Sequence, residues 1–282
     1  MRAAAARAAS SGRYRLLSFD LDGTLVDTAA EIAEAANLAL ESNGMARRPA
    51  AEIALLIGAG TRHLMLQLLS RCLQEDPGLV GRVHSDDVLA SMDEHYARTT
   101  GTSARPYPGC VEALTALSTA GVRLACVTNK ELRHARRVLQ ATGLDRHFEL
   151  VVGGDSLPQK KPHASVLRYV ADTLGVPSAE VAHVGDSSID VAAARNAGVA
   201  AWAVSYGYNG GAPIASAAPD RLFDALAQVA EHALTSHRHE VDPQARWRSL
   251  PPEGAVRRRT GEAGSVSESL ISSGAVEQQK VK

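Results

Sequence analysis

Ser18-Phe19-Asp20-Leu21-Asp22-Gly23-Thr24-Leu25-Val26-Asp27 is the stretch whose reading decides the fold. Just upstream, residues 14–19 read as a short buried strand: Leu16, Leu17 and Phe19 are apolar, and a Gly23-Thr24 turn signal follows at once. Strands of this kind normally end in apolar or turn residues. This one ends in two carboxylates two positions apart, which on an extended chain point to the same face. Like charges that close destabilise each other unless a cation neutralises them or one holds a proton. The pattern implies a metal, a reaction, or both.

Downstream the chain first turns helical. Residues 28–43 carry Ile32, Ala35, Ala36, Ala39 and Leu40 at helical spacing, with Asp27 or Thr28 to cap the start and Asn43-Gly44 to stop it. Further helices are expected over 49–57, 61–73 and 85–100, with the Gly58 and Gly60 loop between the first two. No strand pattern occurs between 28 and 104, so this block reads as an inserted all-helical subdomain. Residues 105–109 read as an extended linker stiffened by Pro106 and Pro108.

Beyond the linker, strands and helices alternate. Strands are expected at 122–128, 148–152, 181–184 and 199–204, with the last as the final clear strand, and helices at 110–120, 132–142, 163–174, 189–197 and 221–234. Short turns between alternating elements specify an α/β fold: a doubly wound parallel sheet of Rossmann type, covered on both faces. Ligands of such sheets bind beyond the carboxyl ends of the strands. Polar residues gather at those ends: Asp20 and Asp22, Thr128 and Asn129, Asp186 and Asp190, with Lys161 in a further loop. The expected division is a core of 14–27 plus 105–235, a helical cap of 28–104, a disordered extension at 1–13 and a disordered tail at 236–282.

Composition narrows the function classes. The chain has 282 residues, 45% hydrophobic and 22% charged, with a net charge of −1, so no broad field favours nucleic acid or an anionic membrane. No apolar run is long enough to span a bilayer. Cys72, Cys110 and Cys126 lack metal or disulfide spacing, and Cys126 reads as a core residue. The Ala/Arg-rich start has no hydrophobic signal region, and the expected location is cytoplasmic.

Four segments together resemble a known family. Asp20-Leu21-Asp22-Gly23-Thr24, Thr128-Asn129, Lys160-Lys161-Pro162 and Gly185-Asp186-Ser187-Ser188-Ile189-Asp190 are similar in order and spacing to the four motifs of the haloacid dehalogenase-like phosphatases. The resemblance implies Mg²⁺, with Asp20 and Asp186 giving carboxylates and Asp22 its backbone carbonyl. It also implies Asp20 as nucleophile, Asp22 as general acid and base, and Lys161, before Pro162, as the positive charge beside them, with Lys160 solvated. Thr128, Asn129 and Gly23 would hold the phosphoryl group, and Asp190 would orient Lys161 or a metal-bound water. In this family a helical insertion after the first motif is a cap that closes over the site. Arg62, beside the Gly58 and Gly60 loop, would then meet a substrate carboxylate.

Within the family, Val26-Asp27-Thr28, Gly153-Gly154-Asp155 and Gly207-Tyr208-Asn209 resemble the bacterial phosphoglycolate phosphatases. Phosphatases of sugar phosphates such as N-acetylmuramate 6-phosphate and a β-phosphoglucomutase share most of these features, and pyrophosphate is a further alternative substrate. From another class, phospho-acceptor signalling modules also use Asp, Mg²⁺, Thr and Lys, but lack the Asp-x-Asp pair and the insertion. The expected partner is a small phosphate ester, with no nucleic acid and no membrane, and the chain is expected as a monomer or homodimer.

Overall fold

The computed structural model describes residues 14–235. The extension expected at 1–13 and the tail expected at 236–282 lie outside the described residues. The first strand, β1 (Leu16–Phe19), is followed by the two-residue strand β2 (Val26–Asp27) and then by four helices: α1 (Ala29–Ser42), α2 (Ala50–Ala54), α3 (Thr61–Glu75) and α4 (Ser85–Thr99). β3 (Arg105–Pro106) returns the chain to an alternating half: α5 (Cys110–Thr119), β4 (Arg123–Val127), α6 (Leu132–Ala141), β5 (Leu150–Val152), α7 (Ala164–Thr173), β6 (Val181–Gly185), α8 (Ser188–Ala197), β7 (Ala200–Val204), β8 (Arg221–Phe223) and α9 (Leu226–Thr235).

Six strands form one parallel sheet in the order β5-β4-β1-β6-β7-β8. β1 is therefore central, and Asp20 continues its ladder, its N–H donating to the Val184 carbonyl at 2.9 Å. Side chains alternate between the two faces as strand geometry requires. Leu17 and Phe19 of β1, Leu124 and Cys126 of β4 and Trp202 and Val204 of β7 pack with α5, α6 and α9. Leu16, Ala125, Val127, Ala201 and Ala203 face the other way, onto α7 and α8. Apolar residues on both faces are what a sheet buried on two sides needs. Each fully buried Leu, Val or Phe contributes roughly 1.5–3 kcal/mol by leaving water.

The helices between β2 and β3 have an apolar core of their own, built around Ile32, Leu40, Ile53, Leu64, Leu68, Met92 and Tyr96. Ala35, Ala36 and Ala39 are fully buried on α1, and their small side chains let the neighbouring helices approach closely. Both crossings into this unit run through one antiparallel ribbon, Val26 opposite Pro106 and Asp27 opposite Arg105. The stretch read as an extended linker at 105–109 thus pairs at its start.

One further expectation is corrected. A continuous helix was expected over 221–234, yet Arg221–Phe223 is an edge strand beside β7, and α9 begins only at Leu226. The Ser205 N–H donates to the Phe223 carbonyl at 3.0 Å, which fixes the strand before the helical periodicity takes over. The three cysteines are buried and unpaired. Among the described residues no helix is long and apolar enough to cross a membrane.

Candidate active site

The turn after β1 is made by backbone bonds. The Leu25 and Val26 N–H groups both donate to the Leu21 carbonyl at 3.0 Å, and Gly23 N–H donates to the Val26 carbonyl at 3.0 Å. Gly23 has φ +85°, the left-handed region where glycine is favoured, and a Cβ there would meet Asp186 Oδ2 at 2.3 Å. The turn sets Asp20 and Asp22 on one small cavity, together with Thr128, Asn129 and Lys130 from the loop after β4. The opposite wall comes from the helical unit: Ile32, Ile57, Gly58, Gly60, Thr61 and Leu64.

Behind Asp20 lies Lys161. Its ammonium, almost wholly buried, donates to the Val127 carbonyl and to Asp190 Oδ1, each at 2.7 Å, and stands 3.0 Å from Asp20 Oδ1. Asp190 is fully engaged: Oδ1 also faces His183 Nε2 at 3.2 Å, and Oδ2 accepts the Ser187 N–H at 3.1 Å and the Ser187 hydroxyl at 2.6 Å. Burial alone would raise the Asp190 carboxyl, but Lys161 and the His183 bond hold it well below the carboxylate range. Asp20 goes the other way. Burial, aided by the charges of Asp190 and Asp22, outweighs Lys161 and lifts it to about 6. Asp186 is raised well above its ordinary value by burial and by Asp190 and Asp20.

Asp186 is held from two sides. Its Oδ1 accepts the Thr24 hydroxyl at 2.8 Å and its Oδ2 the Tyr208 N–H at 2.7 Å. Oxygens of Asp20, Asp186 and Asp190 lie within 4.8 Å of one another. Asp20 Oδ1 is buried with no hydrogen bond. Two raised, crowded carboxylates whose oxygens lie this close fit a hard divalent cation such as Mg²⁺. Each Asp190 oxygen faces two protein donors, whereas each Asp186 oxygen takes one, so Asp20 and Asp186 are the carboxylates available to it.

Asp22 faces different partners. Its Oδ1 accepts from Lys130 Nζ at 2.7 Å and from the Thr28 hydroxyl at 2.6 Å. Burial would discharge Lys130, but Asp22 outweighs it and holds the ammonium charged. Thr128 Oγ1 accepts the Lys130 N–H at 3.2 Å, which leaves its own proton to donate. Asn129 spends its side-chain amide on the Gly58 carbonyl at 3.1 Å and the Lys161 carbonyl at 3.0 Å.

Several expected contacts are not made. Gly23 does not line the cavity, and its N–H is already bonded; it turns beneath Asp186 instead. Arg62 is exposed and lines a neighbouring cavity with Leu89, Met92, Asp93, Tyr96 and Glu131. Lys160 is exposed as expected, but its Nζ donates to the Ala59 carbonyl at 2.6 Å. Other residues enter that had been given no role in the site. Lys130 follows Thr128-Asn129 directly, which was the available signal. The Tyr208 hydroxyl accepts the Thr28 and Ala29 N–H groups at 2.9 and 3.1 Å and donates to Asp27 at 2.6 Å, and Tyr206 donates to the Thr24 carbonyl at 2.8 Å. The resemblance marked Gly207-Tyr208-Asn209, but by local chemistry alone the stretch reads only as a loop.

Residues 17–204 match the family described as Haloacid dehalogenase-like hydrolase. Over 207 residues, 73% of this chain and 87% of the relative, the chain is 42% identical to a plasmid-borne phosphoglycolate phosphatase of Cupriavidus necator. It is 37% identical over 226 residues to the phosphoglycolate phosphatase of Vibrio vulnificus, covering 79% of this chain and 97% of that one. Among solved structures, a predicted phosphoglycolate phosphatase from Haemophilus somnus superposes with a TM-score of 0.73 at 32% identity, over 78% of this chain and 98% of that one. The family match runs from β1 to the end of β7 and takes in all four aspartates described above; the chain belongs to the haloacid dehalogenase-like hydrolases.

Proposed function

We propose that the chain hydrolyses 2-phosphoglycolate to glycolate and inorganic phosphate, through a phosphorylated Asp20. The observation that carries this reading is the buried Asp20 oxygen, which has the Lys161 ammonium at 3.0 Å, on a residue that shares its cavity with Asp22. In this reading an Asp20 oxygen attacks phosphorus while the bond from phosphorus to the ester oxygen breaks. Asp22 gives that oxygen its proton, and glycolate leaves. Asp22, now a carboxylate, takes a proton from water; the water oxygen attacks phosphorus, and Asp20 is released with phosphate. Lys161, held by Asp190, offsets the charge on Asp20 and the transferring group, and the Thr128 hydroxyl and the backbone at Asn129 bind phosphoryl oxygens. The Asp20 and Asp186 carboxylates and the Asp22 carbonyl would hold Mg²⁺, whose charge would offset the repulsion between a carboxylate and a phosphate dianion.

The named relatives support the choice of ester, and so does the helical wall. Ile32, Ile57 and Leu64 offer no hydrogen bonds to a sugar, and Thr61 is the one hydroxyl there. A sugar ring brought against that wall would leave hydroxyls unpaired, at about 1–3 kcal/mol for each one buried. A two-carbon acid does not. The free, buried cysteines suit a reducing compartment such as the cytoplasm.

The test is a panel with Mg²⁺: 2-phosphoglycolate, N-acetylmuramate 6-phosphate, β-glucose 1-phosphate and pyrophosphate. The first is expected to have the highest kcat/KM, and a clear preference for a hexose phosphate overturns the substrate. Asp20→Asn is expected to lower turnover at least about 10³-fold with the fold intact, since the nucleophile is lost. Retained turnover would move the nucleophile elsewhere.

A further inference from the structure

We propose that Lys130 is the specificity residue of this site, the cation that receives the carboxylate of an acidic leaving group. The inference rests on the 2-phosphoglycolate reading and assigns that substrate's second anionic group a partner.

Of the residues that line the cavity, Lys130 alone carries positive charge. The helical wall has none, and Arg62 stands in a different cavity. Lys161 is committed behind the nucleophile, between Asp20, Asp190 and the Val127 carbonyl. An anion on the leaving side of the ester therefore has Lys130 as its cation.

The position suits the connectivity. Lys130 Nζ lies 2.7 Å from Asp22 Oδ1. Asp22 is the group that must reach the ester oxygen, and in 2-phosphoglycolate the carboxylate is one methylene away from that oxygen. A donor one hydrogen bond from Asp22 is thus placed for the carboxylate while Asp22 faces the oxygen.

The ammonium is also restrained before substrate arrives. It lies 5.1 Å from the centre of the Tyr96 ring, on α4 of the helical unit, so its flank is packed. Glu31, the other acid whose field reaches it, has one oxygen turned to the Gly101 N–H at 2.9 Å. The Lys130 side chain is 1% exposed, so a carboxylate meeting it does so away from bulk water, where a charge-assisted bond is strongest.

The experiment compares 2-phosphoglycolate with 2-hydroxyethyl phosphate, which has a hydroxymethyl group where the substrate has its carboxylate. The readout is the ratio of their kcat/KM values, so any damage to Asp22 common to both esters cancels. Lys130→Met in the full chain, with Mg²⁺, is expected to lower this ratio about 10- to 100-fold, chiefly through the KM for 2-phosphoglycolate. Lys130→Arg, which keeps the charge, is expected to retain most of the preference. If Lys130→Met abolishes turnover of both esters, binding of 3-phosphonopropionate against propylphosphonate supplies the same ratio without chemistry, and the same fall is expected. A ratio unchanged by Lys130→Met overturns the proposal and leaves Lys130 as a support for Asp22. A parent enzyme that prefers 2-phosphoglycolate with that preference intact in Lys130→Met sinks only the role of Lys130; a parent that treats the two esters alike sinks the substrate reading as well.

Discussion

Gly207 has no side chain because Asp186 fills the space. A Cβ at Gly207 would lie 2.1 Å from the Asp186 Cβ and 2.2 Å from Oδ2, and the next residue, Tyr208, donates its N–H to that same oxygen. The φ of Gly207 is not in the left-handed region, so alanine there meets a neighbour rather than a forbidden backbone. Asp186 must then move, and it is one of the two carboxylates open to a metal. Gly207→Ala is expected to raise the Mg²⁺ concentration for half-maximal activity at least about 10-fold, comparable to losing an outer support of a metal site. A Mg²⁺ titration of activity checks it, with the circular dichroism spectrum expected to stay that of the parent. In one dimension Gly207 shows only as part of the Gly207-Tyr208-Asn209 resemblance; its physical reason lies 21 positions away at Asp186. The same holds for Lys130, whose partner Asp22 is 108 residues distant, and for Tyr208, bonded to Thr28 across 180. What the chain displays locally is different: carboxylates where a buried strand should end, and a lysine before proline. Those were legible because each breaks the chemistry expected of its element. Gly23 and Arg62 show the reverse: their local signals suited substrate contact, while long-range packing sets Gly23 against Asp186 and Arg62 in a neighbouring cavity.

At the scale of elements, the loop between α2 and α3 is fastened to the sheet half by side chains rather than by backbone ladders. Asn129 reaches the Gly58 carbonyl, Lys160 the Ala59 carbonyl, and the Thr61 hydroxyl donates to Glu131 at 2.6 Å. Gly60 allows this approach, since its Cβ would stand only 3.0 Å from the Asn129 carbonyl oxygen. A wall held by three separable bonds can open without unfolding anything. Lys160→Ala removes one bond of net worth roughly 0.5–1.5 kcal/mol, at the lower end because the lysine is exposed. Amide hydrogen exchange over residues 57–64 is expected to speed up about 2- to 5-fold, with β1 and β6 unchanged. Equal acceleration in the sheet would mean global destabilisation instead. The helices and most of the parallel sheet were readable because their periodicities run for four residues or more, and three-residue β5 because an apolar run ended at the Gly153-Gly154-Asp155 turn. β8, at three residues, offered too short a pattern to compete with the helix behind it, and β2 and β3, at two residues each, had no pattern at all. Strand order was equally silent, because it is decided by which strands pair and not by what any one strand contains.

Taken whole, the molecule stores repulsion at its centre. Asp20 keeps its proton to about pH 6 instead of its ordinary 3.8, and Asp186 is displaced in the same direction. The folded state then binds more protons than the unfolded chain, so Asp20 makes stability fall as pH rises from about 4 to 6, and Asp186 acts with the same sign. His134 works against them. Burial beside Arg133 and Lys130 lowers it to about 4, so its contribution is present above its ordinary 6.5 and is lost as pH falls toward 4. A plain pH profile mixes the two. Mg²⁺ separates them, because it competes with protons on the aspartates and has no claim on His134, which is bonded to Thr100 at 3.1 Å. The difference in melting temperature with and without Mg²⁺ is therefore expected to be largest above pH 7 and to shrink toward zero by about pH 5. At about 100 times its dissociation constant the ion adds ~2.7 kcal/mol, or roughly 5–10 °C for a chain of this size. Asp20→Asn removes one of the competing charges, so the metal-free variant at pH 7.5 is expected to melt above the metal-free parent and to gain much less from Mg²⁺. Differential scanning fluorimetry of both proteins, with Mg²⁺ or with EDTA at pH 5.0 and 7.5, reads all of these at once. A Mg²⁺ increment that is the same at both pH values would show that the ion binds somewhere other than these carboxylates.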